Sequence, residues 1–221
     1  MNFTVASVPI VLHVAAALMV AAILWRHARH VDWRYLIGGT QLHHAAGGML
    51  VIAMLWSLKG QLAPGFNLHL IGATLATLVF GLPLASFVLL GGAIVAALAG
   101  QGDWPALPLN VLTAALLPAW ISTHVLHAVE RRLPAHFFVY IFLAGCLNAT
   151  IGVLAVGVVA TAVLALSHVQ PLSWLLTEYA PFFLLLAFAE SWLTGMALTL
   201  MVVYRPGWVA SFDDHRYLEG K

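Results

Sequence analysis

The sequence predicts an all-α polytopic membrane protein of about seven transmembrane helices, with the N-terminus outside and the C-terminus in the cytoplasm. Three observations predict it. Of 221 residues, 62% are apolar and only 8% are charged, whereas a soluble domain carries roughly a quarter charged residues. Apolar runs repeatedly reach the about 20 residues that a spanning helix needs. Lysines and arginines gather in alternate loops, as cytoplasmic loops require. The net charge of +1 comes without a basic stripe, so nucleic acid is not an expected partner; membrane lipid is.

The predicted helices cover about 8–25, 36–58, 68–81, 84–98, 107–129, 137–166 and 180–204, one membrane domain with a cytoplasmic tail at 205–221. The first run has no basic residue before it and several after it, the reverse of a secretion signal. The run 68–98 is too long for one helix, and Gly81, Leu82 and Pro83 interrupt it. That triplet reads as a helix end and a turn, so two short helices form a hairpin. Arg26, Arg29, Arg34, Arg131, Arg132, Arg205, Arg216 and Lys221 then share the cytoplasmic side, eight of the nine basic residues; Lys59 lies outside. Trp25, Trp56, Trp104 and Trp208 stand near run ends, where interfacial tryptophans belong. The tail, with Phe212 and Tyr217, is amphipathic enough to lie on the membrane or dock on a cytoplasmic partner.

Eleven histidines exceed the nine lysines plus arginines. Histidine in lipid must be paired, ligated or face a polar cavity. His13 lies in the first helix, and His43 and His44 are adjacent in the second, on faces about 100° apart. His124, His127 and Glu130 share one face of the fifth helix, with a His-x-x-His spacing that suits a transition metal. Glu190 lies mid-way along the last helix with no adjacent base, so its partner must come from elsewhere; Asn148 in the sixth helix is one candidate. His69 opens the third predicted helix with Asn67 as its cap, level with Asn110 and the N-terminus at the outer end.

The stretches 67–81 (NLHLIGATLATLVFG), 109–118 (LNVLTAALLP) and 188–217 (FAESWLTGMALTLMVVYRPGWVASFDDHRY) resemble the membrane component of cobalt and nickel energy-coupling-factor transporters (CbiM/NikM type), an ABC transporter permease family. The likeness is to a proteobacterial branch. It implies a multi-pass protein of the bacterial inner membrane that binds a divalent transition metal, cobalt or nickel first and copper or zinc second. It implies a transmembrane coupling subunit and ATPase subunits as partners, and no enzyme activity. Members carry a metal-ligating His followed by Gly and Thr, which falls on His69, and an Asn that falls on Asn110. They begin Met-His and ligate metal through the terminal amine, which would be that of Met1, the next backbone nitrogen and the second residue's ring. Here position 2 is Asn2, so that ring ligand is missing and another histidine (His13, His43 or His44) is a candidate to complete the set.

Two other classes compete. A haem-binding membrane protein would pair His43 or His44 with His124 as axial ligands. A di-iron membrane enzyme would need more histidine motifs than 27–30, 43–44 and 124–127 supply. No Gly-x-x-x-x-Gly-Lys occurs, so an uptake system built on this chain draws its energy from other subunits.

Overall fold

In the computed structural model, which describes residues 3–4, 8–63 and 66–217, the chain is a helical bundle. Five helices are long and apolar enough to cross a membrane: Ile10–Ala28, Ala73–Leu98, Leu107–Arg132, Phe137–Leu166 and Leu172–Tyr204. We label these α1, α4, α5, α6 and α7. Between α1 and α4 come a short α2 (Trp33–Gly38), a 17-residue α3 (Gln41–Ser57) and a β-hairpin, β1 (Gly60–Ala63) with β2 (Phe66–Leu68). α5, α6 and α7 contain π-helical stretches at Leu112–Leu116, Tyr140–Leu147 and Leu175–Tyr179.

Several boundaries differ from the sequence reading. The run 36–58 is not one helix: it breaks at Gly39, which is extended (φ −123°, ψ −177°), between α2 and α3. The helix expected from residue 68 begins only at Ala73, so His69 lies in a non-helical connection and Asn67 in β2, not at a cap. The cause is local. Gly72 sits at φ +71°, a left-handed conformation natural to glycine, and the preceding amides point away from the helix to a tertiary partner described below. The last helix starts earlier than residue 180, at Leu172, and leaves regular geometry at Ala180 and Pro181.

α4 is two arms. Gly81 has φ 71° and ψ 153°, backbone space that is essentially reserved for glycine. Pro83 lacks an N–H and its ring crowds the carbonyl four residues back, that of Val79. Packing against α3 gives each arm its direction. Gly72 lies against Ile52 and Leu55, and Phe80 against Gly48, so the first arm runs opposite to α3. Val88 lies against Gly48 and Gly92 against Ile52, so the second arm runs with α3. The hairpin thus enters and leaves at one end of the bundle. The Lys59 ammonium donates to the Gln101 carbonyl and ties the two loops at that end, called the upper end below.

The tail closes the break. Ala210 N–H donates to the Val79 carbonyl (3.0 Å), and Ser211 donates to Leu78 O through its N–H (3.1 Å) and Oγ (2.8 Å). These are the carbonyls that Gly81 and Pro83 leave without helical partners. Ser211 Oγ also lies 2.6 Å from Tyr140 Oη, and Phe212 and Tyr217 are buried against Tyr140. Arg216 donates to Glu130 Oε1 at 3.1 Å. The described part of the tail, to residue 217, packs on its own bundle, whereas the sequence left it to the membrane surface or a partner; its aromatic residues are consumed by α6.

Candidate metal centre

His69 is buried, with 2% of its surface exposed. Its Nδ1–H donates to the Leu70 carbonyl at 2.8 Å. A carbonyl only accepts, so the proton sits on Nδ1 and Nε2 is the lone-pair nitrogen, the form in which imidazole ligates a metal. The ring packs on Trp56, centroids 4.8 Å apart, and lines a cavity of about 400 Å³ with Gln61, Leu70 and Leu186.

Two long-range contacts hold the connection that carries His69. Trp56 Nε1–H donates to the Ile71 carbonyl at 3.0 Å. Glu190, 1% exposed, accepts the Ile71 N–H on Oε2 at 2.8 Å and the Gly72 N–H on Oε1 at 2.5 Å. This is the tertiary partner that displaces the helix start to Ala73. Glu190 therefore partners the backbone of the His69 connection, and the expected Asn148 partner is not the one used. Asn148 instead donates to Ser122 O and Oγ, both at 3.0 Å, and to Ala144 O at 3.1 Å, tying α6 to α5.

Asn110, in the first turn of α5, is buried at the same upper end. Its Oδ1 accepts from Phe3 N–H at 2.7 Å and its Nδ2 donates to Phe3 O at 3.0 Å. Both polar atoms bond one backbone unit, so the side chain clamps the N-terminal segment. Met1 and Asn2 lie outside the described residues. Lys59 is the basic residue of this end, and burial moves its ammonium below the usual lysine pKa.

The remaining histidines do not gather here. His13 is buried in α1, and among the described residues neither ring nitrogen has a hydrogen-bond partner. His43 and His44 line a cavity of about 340 Å³ near Trp208, on which His44 stacks at 4.5 Å. His124 lines a different cavity, so the expected haem pair is not brought together. His124 Nδ1–H donates to Trp120 O and Glu130 pairs with Arg216. Among the described residues no group of three or more His, Cys, Asp or Glu could hold a metal. The clasp of Glu190 and the clamp of Asn110 were missed by sequence reasoning. Their partners are backbone groups more than a hundred residues away, which leave no side-chain signal.

The profile of the cobalt uptake substrate-specific transmembrane region matches residues 4–208. The chain belongs to that family. It is accordingly a transmembrane component of transition-metal uptake, in a family of transporters and not of enzymes. Two crystal structures share the fold. One, of a truncated transition metal transporter, superposes with a TM-score of 0.79 at 16% identity, over 92% of this chain and 99% of the other. The second, also of a transition metal transporter, gives 0.77 at 17% identity, over 91% and 92%. No curated protein matches by sequence.

Proposed function

We propose that this chain is the metal-binding membrane subunit of a divalent transition-metal uptake system of the cobalt and nickel class. Separate ATPase subunits drive it through a transmembrane coupling subunit, in a bacterial inner membrane. The observation that carries the reading is His69: a buried imidazole with Nδ1 committed to a carbonyl and Nε2 as the lone-pair nitrogen. Two buried clasps aim it, Glu190 on the amides of Ile71 and Gly72 and Trp56 on the Ile71 carbonyl.

In this reading the upper end faces outside, because α1, α5 and α7 each deliver their arginines to the lower end, at Arg26, Arg131 and Arg205. His69 supplies one nitrogen. Asn110 holds Phe3 at the same end, and the proposed site takes its remaining nitrogens from the chain that precedes Phe3. Asn110 is thus a positioning residue. Nitrogen donors suit cobalt and nickel, and copper and zinc compete for the same set. His13, buried and without a hydrogen-bond partner among the described residues, is the reserve ligand. Titrating wild type and Asn110→Ala with cobalt, nickel, copper and zinc by calorimetry tests the arrangement. Weaker binding of every metal by the variant supports it, and equal binding removes the N-terminal segment from the site.

A further inference from the structure

A wedge opens between α1 and α5 below their upper contact. α1 packs on Leu107–Val111 and reaches Leu112–Leu116, and beneath that the two helices enclose a cavity of about 610 Å³. Its walls are mostly apolar, with Ile23 from α1, Leu116 and Trp120 from α5 and Val159 from α6. At its lower end stand Arg26, His27 and His124. An apolar cleft inside a bilayer has no water to fill it, and close packing disfavours leaving it empty. The mouth has a defined chemistry. Ser86 gives its only hydroxyl proton to Leu82 O, so His27 Nδ1, 2.8 Å from Ser86 Oγ, is a donor. His124 Nδ1 likewise donates to Trp120 O at 2.8 Å. As neutral rings both imidazoles keep a lone pair on Nε2, able to accept from hydroxyls, beside the guanidinium of Arg26, which suits a phosphate.

We propose that this wedge is a binding site for one anionic phospholipid with a hydroxylated headgroup. Its acyl chain lies between α1 and α5. Its phosphate meets Arg26 and its hydroxyls meet His27 and His124. Basic mouths between transmembrane helices at the positively charged face are the places where such headgroups are held. The metal site at the upper end uses none of these residues.

The test is native mass spectrometry of the detergent-purified chain after incubation with phosphatidylglycerol, with phosphatidylcholine, or with inorganic phosphate alone. Wild type is expected to retain about one phosphatidylglycerol per chain and little phosphatidylcholine. Arg26→Gln, an exposed position, should cut retention about fivefold, the loss of one basic residue's attraction to the headgroup. Leu116→Trp, which fills the wedge, should abolish retention while Arg26 remains. Cobalt titration should be unchanged in Arg26→Gln. Equal retention of the two lipids overturns the proposal, as does retention untouched by both variants. Retention of inorganic phosphate as strong as that of phosphatidylglycerol reduces the site to a headgroup pocket and overturns the acyl wedge. A stoichiometric protein retained in the wedge in place of lipid, lost in Leu116→Trp, overturns it in favour of a partner helix.

Discussion

Glu190→Gln is the perturbation that reads the metal centre from its support. The wild-type carboxylate accepts two amides, one on each oxygen. A glutamine has one accepting oxygen and an NH2 that only donates. One of the Ile71 and Gly72 amides then faces a donor in a site that is 1% exposed. An unsatisfied buried donor costs ~1–3 kcal/mol, and the surviving bond loses the charge assistance worth ~1 kcal/mol. The displaced backbone begins two residues from His69. If most of this cost falls on the metal-competent arrangement, affinity drops roughly 10–100-fold at about 1.4 kcal/mol per tenfold. Calorimetric titration with cobalt and nickel measures it, and a detergent melting curve reports global stability alongside. Glu190→Ala should be at least as damaging, since it removes both acceptors. A Glu190→Gln protein that binds and melts like wild type would show that the clasp does not position His69.

Other outcomes follow from the same geometry. Asn110→Ala removes two hydrogen bonds to Phe3, worth about 2 kcal/mol together, and should make the N-terminal segment more susceptible to aminopeptidase, read by mass spectrometry. Gly81→Ala places a side chain at φ 71°, ψ 153°, costs on the order of 1–3 kcal/mol, and should lower the melting temperature without a direct effect on the metal ligands. Truncation before Ala210 uncovers the Leu78 and Val79 carbonyls and the Tyr140 ring, and should destabilise the hairpin, seen as faster hydrogen exchange around Gly81. Metal binding should weaken on acidification, because protons compete for His69 and for a terminal amine, and calorimetry in two buffers should register proton release on binding.

The length of the apolar runs carried much of the fold. The run 137–166 coincides with α6, and the start at Leu107 with that of α5, because length and hydropathy decide a span in lipid. The Gly-Leu-Pro interruption also marked the hairpin break, since a glycine-only conformation and a missing N–H are properties of single residues. The site was less legible. His69 stood out through family resemblance, but its placement outside a helix did not, because a distant carboxylate captures its neighbouring amides. Glu190 was recognisable as a buried charge needing a partner, yet a backbone partner has no sequence signature. Asn110 read as a ligand because amide oxygens ligate metals; its clamp on the Phe3 backbone has no sequence signature. The tail's aromatics read as a docking surface because their target, Tyr140, lies some seventy residues away.

The central claim is that His69 ligates the transported metal at the upper end of the bundle. Its most direct test is cobalt and nickel titration of the untagged, unextended protein at neutral pH, wild type beside His69→Ala and His69→Gln. The account predicts at least a tenfold loss of affinity for both metals in both variants, with the His69→Gln melting curve close to wild type. Affinities equal to wild type in the two variants would contradict it and move the search for ligands to His13, His43 and His44.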